Sequence, residues 1–234
     1  MHIIPVLDIR QGRVVHAVAG DRTRYRPIVT PLAPDSCDPV DVARGLLRLW
    51  AGFRHLYIAD LDGIERGERG AGRRIAHDIM AAFPDLTVMI DEGATRPGDV
   101  ERLAGTPAIL PVIGSESWGD PLELGSIGRP WVLSLDDRGG AQLGPSELFE
   151  DPSLWPATVI VMTLARVGGA AGPDVDRVSE VVAKANGRAV LAAGGVRGGS
   201  DLRRLAAAGA AGALVATALH DGRLTAADLS RSWP

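Results

Sequence analysis

The stretch Val88-Met89-Ile90-Asp91-Glu92-Gly93 returns in altered form as Val190-Leu191-Ala192-Ala193-Gly194-Gly195. At the same offset and without gaps, Asp99 meets Asp201, Arg102 meets Arg204, Leu103 meets Leu205 and Ala108 meets Ala210. Gly114-Ser115 then falls on Ala216-Thr217. A unit of strand, turn, helix and strand therefore occurs twice. The other segments echo each other more weakly. Ile4-Pro5-Val6-Leu7-Asp8-Ile9-Arg10-Gln11-Gly12 resembles Val132-Leu133-Ser134-Leu135-Asp136-Asp137-Arg138-Gly139-Gly140. Ile58-Ala59-Asp60-Leu61-Asp62-Gly63-Ile64 lies opposite Val161-Met162-Thr163-Leu164-Ala165-Arg166-Val167.

Eight short apolar runs predict strands: Ile3–Leu7, His55–Ala59, Thr87–Ile90, Ala108–Ile113, Trp131–Leu135, Thr158–Met162, Ala189–Ala192 and Ala211–Val215. They lack period-two alternation, as expected of parallel strands buried on both faces. Amphipathic stretches between them predict helices over Val40–Trp50, Gly98–Ala104, Pro173–Ala185 and Gly199–Ala208. Interleaved strands and helices define a parallel α/β fold. Two duplicated halves close naturally with two-fold symmetry, whereas an open sheet has no reason to repeat. The fold predicted is a (β/α)8 TIM barrel, one domain over residues 1–234.

Composition bounds the function. The 234 residues are 46% hydrophobic and 23% charged, the mixture of a folded globule rather than a disordered chain. A net charge of −4 leaves no basic excess for a nucleic-acid backbone. Cys37 is the single cysteine, so neither an internal disulfide nor a multi-cysteine metal site can form. No apolar run is long enough for a bilayer, and Met1-His2-Ile3-Ile4-Pro5 does not read as a secretory signal, so a cytoplasmic location is expected. Lys184 is the only lysine and falls in a predicted surface helix, which argues against lysine-imine chemistry.

In a barrel, strand C-termini form the reactive face. Asp8 ends strand one and Asp136 ends strand five, and two-fold symmetry sets these strands opposite each other. Two such carboxyls can divide acid and base roles if their environments split their pKa values; each aspartate could also simply cap the loop after it. Gly194-Gly195-Val196-Arg197-Gly198-Gly199-Ser200-Asp201 follows strand seven and opens a helix, which lets backbone N–H groups approach an anion. Thr217, after strand eight, completes the expected phosphate site.

The segments Ile4–Gly12, Tyr57–Gly63, Ser134–Gly140 and Ala193–Val196 resemble the histidine-biosynthesis barrels, the ribotide isomerase and its cyclase relative. The isomerase is the nearer. The resemblance implies a cofactor-free Amadori rearrangement of an aminoaldose to an aminoketose. It also implies Asp8 and Asp136 as the catalytic acid and base, with C2 abstraction assigned to Asp8 and ring-oxygen protonation to Asp136. Gly194, Gly195 and Thr217 match the second-half phosphate site of that family. Three departures are visible. Asp91-Glu92-Gly93-Ala94-Thr95 replaces a run of glycines, and two carboxylates beside a phosphate would repel it. Gly114-Ser115 remains of that half-site. Val167-Gly168-Gly169 stands where relatives carry Asp-Gly-Thr, and Ala216-Thr217 replaces Gly-Arg. These changes argue against the two-phosphate substrate of the histidine pathway. The Arg22-Thr23-Arg24-Tyr25-Arg26-Pro27 loop, Leu164–Gly168 and Ala216–His220 resemble an isomerase-like branch of methanogens and methylotrophs, which implies a role in building a one-carbon carrier cofactor.

Other residues fill in the expected mouth. Arg24, with Arg22 and Arg26, falls after strand one, as a clamp for an anion or as a solvated loop. Arg166, after strand six, is a second candidate for anion binding. Asp60 and Asp62 end strand two, one to line the pocket and one to cap the turn. Asp91 and Glu92 are candidate additional acids. The five histidines and Cys37 show no metal spacing, and the tryptophans read as packing residues. Three functions stay open: an isomerase of a phosphorylated sugar or sugar-amine, a lyase or synthase using Asp91 or Glu92, and a non-catalytic phosphate-binding barrel. The partner expected is a phosphorylated small molecule, with no cofactor, metal, nucleic acid or membrane. Sequence leaves the oligomeric state undefined.

Overall fold

The computed structural model describes residues 1–103, 106–231 and 233. Eight strands form a closed parallel ring: β1 His2–Arg10, β2 His55–Asp60, β3 Thr87–Asp91, β4 Ile109–Gly114, β5 Val132–Arg138, β6 Thr158–Thr163, β7 Ala189–Ala193 and β8 Gly212–Val215. Closure runs through β8 and β1, from His2 opposite Gly212 to Pro5 opposite Val215. The chain is a (β/α)8 barrel, and each of the eight predicted runs matches one of its strands, those at Ala108, Trp131 and Ala211 starting one residue early.

Strand pleating sorts side chains into two cores. Ile4, Tyr57, Met89, Val112, Val132, Ile160, Leu191 and Leu214 fill the barrel interior. Leu7, Ile58, Ile90, Ile113, Leu133, Val161 and Ala213 face outward against the helices. Burial on both faces is why no alternation shows in the sequence. The helices supply the other half of the outer core: Val42, Ala43 and Leu46 from α1 (Pro39–Arg48), Ala76 and Ile79 from α3 (Ala71–Ala82), Val178 from α6 (Val175–Lys184), and Leu202 and Leu205 from α7 (Gly199–Ala207). Asp38 starts α1 by accepting the N–H groups of Val40 and Asp41, with Pro39 in the first turn.

Helix boundaries moved in places. Val40–Trp50 is observed as Pro39–Arg48, and Pro173–Ala185 as Val175–Lys184. Of the predicted Gly98–Ala104 helix, α4 spans Pro97–Glu101, and Ala104 lies outside the described residues. α3 and the short α2 (Leu61–Arg66) were not anticipated. Between β4 and β5 a 3-10 turn, Pro121–Ser126, stands where the repeat would place a helix. Prolines also break the β5–β6 connection, where the short α5 (Glu147–Glu150) is followed by the 3-10 turn Pro152–Leu154.

The duplication extends to hydrogen bonds. Asp99 accepts from the N–H and hydroxyl of Thr95, and Asp201 accepts from the N–H and Nε of Arg197. Both aspartates sit in the first helical turn at 1% exposure, and Arg102 and Arg204 pair with them at the same spacing. Each carboxylate thus ties the loop after its strand to the helix that follows.

Bonding to Arg197 holds the Asp201 carboxyl below the ordinary aspartate range. Its contribution is therefore complete above the unfolded-state value near pH 4 and is lost as pH falls through the lower folded value. Asp201→Asn is expected to lower the unfolding free energy at pH 7 by about 2 kcal/mol, with the deficit shrinking at pH 3. Urea denaturation at the two pH values measures both.

Candidate active site

At the C-terminal end of the barrel, the inward pleat positions are Asp8, Ala59, Asp91, Gly114, Asp136, Met162, Ala193 and Ala216. This follows from the parity of the interior core and from the registers Asp8↔Ala59, Asp91↔Val112 and Asp136↔Met162. β1 and β5 stand four strands apart in either direction round the ring, so Asp8 and Asp136 face each other. Both line one cleft of about 860 Å3, counted to its open mouth. Asp91, Glu116, Arg22, Tyr25, Tyr57, Gly194, Gly195 and Thr217 line it too.

The two opposed aspartates have different surroundings. Asp136 is 4% exposed and well held: its Oδ1 accepts the Ser134 hydroxyl at 2.6 Å, and its Oδ2 accepts the Glu116 N–H at 3.2 Å. The Ser115 hydroxyl lies 3.4 Å from the same Oδ2 and accepts the Asp136 N–H at 2.9 Å. Burial outweighs these bonds and raises the Asp136 carboxyl to about 7. Asp8 has no hydrogen-bond partner among the described residues. Burial raises it to about 6, and Arg22 works against that rise. Asp91 is raised furthest, to about 8, by burial and then by the neighbouring Asp136.

The glycine turn after β7 is open. Gly194 and Gly195 have φ of +102° and +81°, and a Cβ on either would meet the carbonyl oxygen of Thr163 at 2.6 Å or of Gly172 at 2.5 Å. Only glycine fits there. The Gly195 N–H finds no acceptor among the described residues. The Thr217 N–H, at the first position of α8 (Thr217–His220), is a donor with no partner inside its helix.

The corresponding turn of the first half is closed, which corrects the reading of Gly114 and Ser115 as phosphate donors. Ser115 is fully buried and its hydroxyl serves Asp136. The Gly93 N–H, the counterpart of the Gly195 N–H, is taken by Asp91 at 2.9 Å. Gly114 has a different use: a Cβ there would lie 3.0 Å from Asp136 Oδ2 and 3.1 Å from Asp91 Oδ2.

Further site residues are also relocated. Arg24 is exposed and away from the cleft, and the arginine at the mouth is Arg22, set by the 3-10 turn Arg22–Arg24. Its guanidinium pairs with Glu116 at 2.5 Å and Glu65 at 3.5 Å. Arg166 turns back to the Gly172 carbonyl at 3.0 Å and to Asp174 at 3.6 Å, so it braces the loop instead of reaching an anion. Asp60 is wholly buried, taking the N–H groups of Gly63 and Gly72 as the cap of α2. Glu92, the first residue after β3, is buried outside the cleft. Tyr25, Tyr57 and Glu116 were not anticipated. For Tyr57 the signal existed, since it is a polar ring in an apolar run at an inward position.

A second recess adjoins the first behind Asp8 and Thr217, lined by His16, Val15, Ile28 and His220. His220 is buried against the Thr30 hydroxyl, and burial lowers its pKa to about 4. Among the described residues, no group of three or more His, Cys, Asp or Glu is placed to hold a metal ion, and no helix is long and apolar enough to cross a membrane.

Residues 2–225 match the profile of the family described as histidine biosynthesis protein. Two similar proteins bear the name 1-(5-phosphoribosyl)-5-((5-phosphoribosylamino)methylideneamino)imidazole-4-carboxamide isomerase. That of Halobacterium salinarum is 29% identical over 97% of this chain and 94% of its own. That of Natronomonas pharaonis is 31% identical over 95% of this chain and 94% of its own. An uncharacterised protein of Methanocaldococcus jannaschii is 28% identical over 96% of this chain and 95% of its own.

The raised Asp91 makes a stability prediction. Its carboxyl moves from 3.8 to about 8 on folding, so between those values the folded chain keeps a proton that the unfolded chain releases. Stability therefore falls as pH rises through that window. Asp91→Asn, which can still accept from Gly93, is expected to exceed the parent by at least ~1 kcal/mol at pH 8. The gain should vanish near pH 4. Urea titrations at both pH values decide it.

Proposed function

The chain belongs to the histidine biosynthesis protein family, and from that premise we propose that it is a cofactor-free aldose–ketose isomerase of a phosphorylated sugar or sugar-amine with one phosphate. The supporting observation is a pair of opposed aspartates, Asp8 and Asp136, above one open glycine cradle at Gly194-Gly195 and Thr217. The relatives' printed name has two phosphoribosyl groups. Here the Gly93 N–H, the counterpart of the Gly195 N–H, is bonded to Asp91, and the Glu116 N–H to Asp136, which favours a different substrate.

The chemistry needs two proton-transfer groups. Asp136, raised to about 7, is partly protonated at neutral pH and gives its proton to the ring oxygen, opening the sugar to an imine. Asp8, nearer its ionised form because Arg22 favours the charge, removes the C2 proton. The imine becomes an enaminol. Return of the Asp8 proton to C1, and loss of the C2 hydroxyl proton to Asp136, gives the ketose and restores both carboxyls. No oxidant, reductant or cofactor enters.

Asp8→Asn and Asp136→Asn are each expected to cut turnover by about 10^3-fold, with circular dichroism unchanged. The assay is a panel of phosphorylated aldoses and their glycosylamines, followed by NMR for ketose formation with loss of the C2 hydrogen. Turnover at parental rate in both variants overturns the assignment.

A further inference from the structure

Asp91 has no acidic counterpart in the second half of the barrel. The repeat that superposes Asp99 on Asp201 puts Ala193 in its place, so the fold itself does not demand a carboxyl there. It is 6% exposed and lines the same cleft as Asp8 and Asp136. One of its oxygens is fixed by the Gly93 N–H. The other, Oδ2, meets no protein donor among the described residues and faces the space over Gly114. Asp136 Oδ2 faces that space as well: a Cβ on Gly114 would lie 3.0 Å from it and 3.1 Å from Asp91 Oδ2.

A second feature points into the same region. Tyr57 is 3% exposed and lines the cleft, yet its hydroxyl has no hydrogen-bond partner among the described residues. Burial, then the charges of Asp91 and Asp136, push its ionisation well above the usual tyrosine value, so it remains a donor and acceptor. The ring is buried while its hydroxyl is left for a ligand in the cleft to complete. Arg22, the cation of the cleft, already pairs with Glu116 and Glu65. A second phosphate at this end would meet carboxyls on several sides, whereas a nitrogen with protons to give would meet acceptors.

We propose that Asp91 and Asp136 clamp a substrate nitrogen, an amine or the imine formed from it, over Gly114, with the Tyr57 hydroxyl against it. The substrate is then phosphorylated at the end held by Gly194-Gly195 and nitrogenous at the reacting end. Such a group between the carboxyls relieves the repulsion that Asp136 adds to burial in raising Asp91, and it places the reacting carbons beside Asp136. This assignment rests on the sugar-amine reading above and adds Asp91 to it as a positioning residue.

The test compares two stable probes by titration calorimetry, a pentitol 5-phosphate and its 1-amino-1-deoxy derivative. The wild-type chain is expected to bind the amine at least tenfold more tightly. Asp91→Asn should reduce that ratio to threefold or less. Gly114→Ala, whose methyl group fills the space between the oxygens, should do the same, and it guards against a defect peculiar to the first variant. Equal binding of the probes by wild type, or an undiminished ratio in both variants, overturns the clamp alone. If neither probe binds, the phosphorylated-sugar reading falls and the clamp falls with it.

Discussion

The pleat of a closed parallel barrel lets only alternate residues reach the interior, and closure makes the inward positions of all eight strands converge on one mouth. Everything chemical in this chain depends on that geometry. Asp8 and Asp136 are far apart in sequence and share a cleft because β1 and β5 are diametric in the ring. The same parity sends Asp91 into the cleft, and Glu92, one residue later, is buried outside it. A slip of one residue in β3 would exchange them and remove an acid from the site.

The two halves share a scaffold and differ in what their loop donors do. Asp99 and Asp201 make equivalent ties between loop and helix, so the framework is held the same way twice. After β7, the glycine turn then has amides left over, and positive φ values keep side chains out of the space they face. After β3, the Gly93 amide, the counterpart of that of Gly195, is taken by Asp91. A duplicated fold thus presents free amides on one side, the anion cradle of the proposed function, and carboxyls on the other. That asymmetry points to an asymmetric substrate.

Much of this was legible in the sequence because it depends on periodicity. The repeat of Val88–Gly93 in Val190–Gly195 led to the barrel, and the barrel placed Asp8, Asp136 and Gly195 at one end. What was not legible depends on loop conformation and on side-chain direction. Arg22, Arg24 and Arg26 are indistinguishable as letters; a 3-10 turn capped by Asp21 brings Arg22 to the mouth and leaves Arg24 in solvent. Arg166 follows an inward strand, yet its guanidinium is captured by the Gly172 carbonyl. Glycine is ambiguous in a further way: at Gly195 it frees an amide, and at Gly114 it makes room for two carboxyls. Only neighbours in space tell these uses apart.

The carboxyls of the cleft have a thermodynamic consequence. Each carboxyl lifted by burial, about 6 at Asp8, 7 at Asp136 and 8 at Asp91, makes the folded chain less stable at neutral pH than it would be with a neutral amide there. A fold with no use for them would be expected to lose them, as the second half has alanine at 193. Two sit on opposed strands with the symmetry of the barrel, and the third departs from it beside a glycine that gives it room. A destabilising group whose position breaks an internal repeat has no explanation in the scaffold. It has one in the ligand, whose two ends need not be alike.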